Sequence, residues 1–250
     1  MKIKDIHTVF PLAWICKSST FLDYVQKIDP IGNKEFLIAD FASGEHDRVP
    51  SFFVSYLSQL IDIEQKNVES IFVYCTDIHA LRLDSLMGKL EESGILDRVR
   101  VVHTKLELMD EHASLRPAMT VFFEENPDTL IWLDEFLIGE NRFPPECFAI
   151  GILNNDIVGY MMEYYNQQSS AILGLKKVFK LLEKDGLLIV TMPCSLYTVD
   201  NIAILQEIGF QFKEGIDVDL ETLEVVSFQA DKDYHTFSRL NHYTCLFFTK

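Results

Sequence analysis

Three short clusters in this chain hold residue types that could do chemistry. The first is Asp40-Phe41-Ala42-Ser43-Gly44, with His46 two residues further on. It closes an apolar run, where the chain must turn sharply. A side chain at Gly44 would need a disfavoured backbone region or would project into ligand space. Ala42, with its small methyl group, is expected to escape that constraint. His46 either points at a ligand or lies on the surface. The second cluster, Thr76-Asp77-Ile78, sets a carboxylate and an apolar side chain at the end of another apolar run. The third is Asn154-Asn155-Asp156. It could orient a substrate, with Asp156 as a general base, or it could cap the helix that follows. A nicotinamide dinucleotide would call for Gly-x-Gly-x-x-Gly after the first strand, and Ala42-Ser43-Gly44-Glu45-His46-Asp47 supplies too little of it.

Other reactive residues read as structural. The five cysteines are dispersed and odd in number, without a Cys-x-x-Cys pair, as buried small hydrophobes are. Cys194 follows Pro193 and reads as a small loop or strand-end residue and not a nucleophile. His235 and His242 have no companions at metal-ligand spacing, so no metal is expected. A net charge of −16 repels phosphate backbones, which argues against nucleic acid as the usual partner. No apolar run is long enough for a membrane span, and the N-terminus lacks a signal peptide's apolar stretch, so a cytoplasmic protein without a membrane partner is expected.

The elements that must position these clusters alternate between strand and helix. Strands are expected over Glu35 to Phe41, Ile71 to Cys75, Val99 to Val102, Phe148 to Leu153 and Leu187 to Met192. Between them fall a helix opened by Pro50, a helix with Leu83, Leu86, Met87 and Leu90 on one face, and a long amphipathic helix carrying Ala171, Leu175 and Val178. Asp200 is read as the cap of a shorter helix that stops at Gly209. The tail, Glu224 to Phe228 and Tyr243 to Thr249, reads as two antiparallel strands. Such alternation implies a doubly wound α/β domain with a largely parallel sheet and helices on both faces. Residues 1–250 are taken as one domain, with 1–34 as an N-terminal segment. Residues 107–146 form an insertion after the third strand. It is expected to close over the crevice as a lid, with Trp132 and Phe136 facing inward. Its rival role is a subunit contact in a homodimer.

This order of elements, together with Phe36-Leu37-Ile38-Ala39-Asp40-Phe41-Ala42-Ser43-Gly44 and Val73-Tyr74-Cys75-Thr76-Asp77-Ile78, resembles the class I S-adenosylmethionine-dependent methyltransferases. The likeness extends through Leu181-Leu182-Glu183-Lys184-Asp185-Gly186-Leu187 and the closing run Tyr243 to Phe248. It implies a Rossmann-like sheet of spatial order 3-2-1-4-5-7-6 with an antiparallel C-terminal hairpin at its edge. It further implies S-adenosylmethionine as cofactor, held by Asp40, Ala42, Gly44, His46, Asp77, Ile78 and Asn154. Asp77 would accept hydrogen bonds from the ribose hydroxyls, and Ile78 would pack on the adenine. Of the three loop glycines in that family only Gly44 stands here, with Ala42 and His46 in the flanking places. The post-strand-4 loop lacks the Asn/Asp-Pro-Pro-aromatic pattern of exocyclic-amine methylation. Two functions follow: methyl transfer to a small molecule or other non-nucleic-acid acceptor, or a binding and assembly module that has lost turnover.

Overall fold

Every apolar run read as a strand joins a single sheet. The computed structural model describes residues 11–27, 35–60, 71–111, 113–115, 142–155, 157–163, 168–193, 198–228 and 241–250. Within them the strands are β1 (Phe36–Phe41), β2 (Ile71–Asp77), β3 (Val99–His103), β4 (Ser114–Leu115), β5 (Phe148–Leu153), β6 (Leu182–Met192), β7 (Gln211–Asp219), β8 (Val225–Ser227) and β9 (His242–Thr249). Their spatial order is β4-β3-β2-β1-β5-β6-β9-β7-β8. β1 is an interior strand, parallel to β2 and β5, while β3 and β6 extend the parallel pairing on either side. β9 runs antiparallel to both β6 and β7. Without the short flanking strands β4 and β8, the order is the expected 3-2-1-4-5-7-6.

Two details depart from the sequence reading. The antiparallel partner of Tyr243 to Thr249 is β7, not the run 224–228, which forms β8 on the outer side of β7. β9 therefore lies inside the sheet. β7 was missed because Gln211-Phe212-Lys213-Glu214-Gly215 is polar and half exposed, and its apolar alternation begins only at Ile216. Asp200 lies inside the helix Thr198–Ile208, not at its cap.

The helices cover both faces through their apolar stripes. α1 (Ser19–Gln26) buries Phe21 and Val25. α2 begins at Arg48–Ser51, passes through a π-helical turn at Phe52–Tyr56 and continues as Leu57–Leu60. It starts two residues before Pro50, whose missing N–H costs nothing in a first turn. Phe52 and Phe53 from α2 pack on Phe21, with ring centroids 6.3 and 6.4 Å away. α3 (Ala80–Glu92) buries Leu83, Leu86, Met87 and Leu90, the face expected from the 3.6-residue period. The chain leaves it through Gly94 at φ +67. α4 (Ile157–Glu163) and α5 (Gln168–Leu181) follow β5. No described helix is long and apolar enough to cross a membrane.

Two packing features fix strand ends near the loops. On β5, a Cβ at Gly151 would lie 2.7 Å from the Phe41 ring, so glycine is what lets that ring lie over β5. Phe41 then meets Phe148 edge-on at 6.0 Å. Successive strand residues face opposite ways, so Asp40 is turned to the other side of β1. The second feature spans the sheet: Glu214 of β7 receives the N-terminus of α1. Its carboxylate accepts from Ser18 Oγ at 2.8 Å and from the Thr20 N–H at 2.8 Å. A carboxylate there meets unpaired amides and the positive end of the helix dipole.

Burial works to raise the Glu214 pKa, but the Thr20 amide and Ser18 hydroxyl outweigh it and hold it below the usual range. A depressed folded-state pKa means that this stabilisation is complete above the unfolded carboxyl value of about 4.3 and is lost as pH falls through the lower folded value. Glu214→Gln is thus expected to cost about 1 kcal/mol at pH 7, as other lost caps do. Urea unfolding of parent and variant should show that difference shrinking as pH drops from about 5 toward 3.

Candidate functional site

The carboxyl ends of β1, β2 and β3 are tied together by hydrogen bonds that leave the strands. After β1, the Ser43 N–H donates to Thr76 O at 2.8 Å. The Gly44 N–H donates to Asp77 Oδ2 at 2.9 Å, and the His79 N–H donates to Asp77 Oδ1 at 2.7 Å. After β3, the Thr104 N–H reaches Asp77 O at 3.0 Å, and His103 Nε2 lies 2.9 Å from Ile78 O. Asp77 is 5% exposed, so its two bonds to backbone amides anchor both the loop after β1 and the start of α3.

A cavity of about 210 Å³ opens over this rim. Ala42, Thr76 and Asp77 form its floor, with Ile78, His79 and Arg82 along one side. The opposite side is the stretch Thr104-Lys105-Leu106-Glu107. Ile157 at the start of α4 and Ser170-Ala171 in α5 close it from across the sheet. Ile78 is an apolar side chain left 47% exposed, against the usual burial of isoleucine. The wall after β3 is pinned by charge. Lys177 and Lys180 of α5 both bond the Asp110 carboxylate, Lys180 at 2.6 Å, and Lys177 also reaches Glu111 at 3.0 Å. Although burial works to raise it, the two ammonium groups hold the Asp110 carboxyl below its ordinary range.

The loop after β1 carries more backbone strain than expected. Gly44 sits at φ +66, and a Cβ built on it meets nothing within 4 Å, so that direction is open space. Ala42 is also left-handed, at φ 57. The expectation that Ala42 is unconstrained is therefore corrected: the turn needs two left-handed residues, and Ala42 occupies one of them at a cost glycine would not bear.

Of the remaining residues singled out, Asp40 is buried at 1% exposure, and its Oδ1 has no hydrogen-bond partner among the described residues. Burial first, and the nearby Asp77 carboxylate second, push its carboxyl well above the ordinary range. His46 is exposed and is not on the cavity wall. Asn154 is half-buried and bonded to Thr191 at 2.6 Å. Asp156, Cys194, Trp132 and Phe136 lie outside the described residues. Arg82, Thr104 and Ser170 were missed. Thr104-Lys105 follows a recognised strand, which was the available signal. Ser170 reaches the cavity only through tertiary packing.

Parallel strands with a crevice at their carboxyl ends, an interior β1 and a reversed strand between the last two define one architecture. The fold is class I methyltransferase-like. Solved structures are similar to it. The [4+2]-cyclase SpnF superposes with a TM-score of 0.51 at 11% identity, covering 92% of this chain and 80% of that one. A SAM-dependent methyltransferase from Aquifex aeolicus gives 0.49 at 11% identity, over 100% and 98%. Geranyl diphosphate methyltransferase in complex with SAM gives 0.48 at 9%, over 91% and 83%. No protein-family model matches the chain, and no curated protein matches it in sequence. At such identities the likeness concerns the fold alone.

The two left-handed residues should respond in opposite ways to substitution. Gly44→Ala is expected to destabilise by about 1 kcal/mol, because its backbone cannot relax without losing the Asp77 bond. Ala42→Gly removes strain of similar size, offset by about 0.5–1 kcal/mol of added unfolded-state freedom, and should leave stability unchanged or slightly raised. Urea midpoints of the two variants against the parent check both.

Proposed function

We propose that this chain binds S-adenosylmethionine in the crevice over β1, β2 and β3 and transfers its methyl group to a small molecule or another acceptor that is not a nucleic acid. The observation that carries the reading is the cavity floor. Asp77 there, at the end of β2, stands next to the exposed Ile78, and Ala42 of the left-handed turn lines the same cavity, while Gly44 is bonded to Asp77 and is not itself a lining residue. The residues fit a nucleoside. A carboxylate has about four acceptor positions, and backbone amides use two in Asp77, which leaves capacity for ribose hydroxyls. Ile78 offers an apolar surface to a base. The open direction at Gly44 leaves room for a ligand beside the turn. Asp40, whose buried Oδ1 has no hydrogen-bond partner among the described residues, adds a polar group near the end of β1.

When bound, the cofactor supplies a methyl group activated on a sulfonium. The protein's part is then to hold the acceptor in line and exclude water, so proximity carries most of the effect. A net charge of −16 supports an acceptor without a phosphate backbone.

A second reading, a ligand-binding module without turnover, is favoured by one observation. Asp77 is already engaged by Gly44 and His79, while Ala42 and His46 stand where glycines would free the loop. Fold alone does not choose between the readings, as a [4+2]-cyclase on this scaffold illustrates.

Calorimetry with S-adenosylhomocysteine is the test. The parent should bind it. Gly44→Val should abolish binding while the domain stays folded. Asp77→Ala should weaken it by about 1–3 kcal/mol and also lower the melting temperature, since two amides lose their acceptor. Absence of binding to the parent would remove the methyl-transfer reading. Full affinity in Gly44→Val would move the ligand away from the loop.

A further inference from the structure

Two parts of the cavity lining belong to elements that a single group of charges joins. The stretch Thr104-Lys105-Leu106-Glu107 leaves β3, and Ser170-Ala171 lies in the first turn of α5. Further along both elements, Asp110 bonds Lys177 and Lys180 of α5, and Lys177 also holds Glu111. Asp110 is not itself a lining residue. α5 has other anchors, since it buries Ala171, Leu175, Val178 and Leu181. The stretch after β3 has fewer, with Leu106 and Met109 as its buried apolar side chains. Its place therefore depends more on charge. The Asp110 side chain is 6% exposed, so its pairs are less screened than surface ones, and Lys177 is more sheltered than Lys180.

We infer that Asp110 is a positioning residue: its ion pairs to α5 hold the wall after β3 at the separation from α5 that a ligand in the cavity requires. It acts through the wall and does not touch the ligand. The choice of probe below rests on the S-adenosyl reading above; the placing of the wall does not.

Asp110→Asn keeps the shape and removes the charge. The test joins amide hydrogen exchange on the ligand-free protein to calorimetry with S-adenosylhomocysteine. In the variant, the Leu108 and Phe143 amides, which bond Lys105 O and Met109 O, should exchange about fivefold faster. The Gly44 and His79 amides, held by Asp77, should keep their parent rates. Affinity for S-adenosylhomocysteine should fall by about the same factor, because the ligand can lose no more than the ion pairs contribute. Raising salt should weaken binding to the parent more than to the variant, which has no pair left to screen. Asp110→Asn combined with Lys177→Met and Lys180→Met should match Asp110→Asn alone, since residues acting through one contact do not add. That triple variant carries the test if Asp110→Asn does not fold. Parent-like exchange at Leu108 and Phe143, or equal acceleration at Gly44 and His79, overturns the inference. So does faster exchange at the wall with parent-like affinity, or an equal salt response in parent and variant. A parent that binds no S-adenosylhomocysteine removes the S-adenosyl reading, and the exchange rates alone then decide whether Asp110 holds the wall.

Discussion

The Asp77 carboxylate is the constraint on which the site depends. It is almost fully buried, and each oxygen takes one backbone N–H, from Gly44 on one side and His79 on the other. Hydrogen bonds to a charged group contribute about 1.5–3 kcal/mol each, more than neutral ones. Two loops that leave different strands are therefore held by a single charge. Thr104 adds the third strand end through the Asp77 carbonyl. The cavity floor is in this sense one unit, and a ligand that bonds Asp77 touches the group that shapes the pocket around it.

Beside that charge sits a second carboxyl under very different conditions. Asp40 has no described partner at Oδ1, lies deep in the sheet and faces the field of Asp77, so its protonated form is favoured. Two carboxyl groups on adjacent strands can coexist here because burial pushes Asp40 toward neutrality. A polar but uncharged residue at that position also keeps the end of β1 compatible with the packed aromatic layer of Phe41 and Phe148 behind it.

Much of this was legible in the sequence because sheet and helix periods are local. The buried face of α3 follows from spacing alone, and the apolar runs of β1, β2, β5 and β6 have the length and the β-branched, aromatic composition of interior strands. Asp77 and Gly44 could be placed for the same reason, since each closes such a run. What was not legible is set by pairing across the chain. The polar start of β7 becomes a strand because β9 is there to bond it. Ala42 is forced into a left-handed turn by bonds from the next two residues to β2, which its own type gives no hint of. Arg82, Ser170 and Thr191 acquire their places only when helices and distant strands are brought together.

The interior place of β9 bears on how the sheet is assembled. β7 precedes β9 in the chain, yet its path to the rest of the sheet runs through β9. While the polypeptide is being synthesised, β6 and β7 must wait with a strand-wide gap between them. Each then presents unpaired backbone groups of the kind that invite pairing with another chain. The region from Leu182 onward thus becomes order-dependent: it can close correctly only after residues 242–249 have emerged. Shortening the chain at that point would remove a central support of the sheet and not a margin.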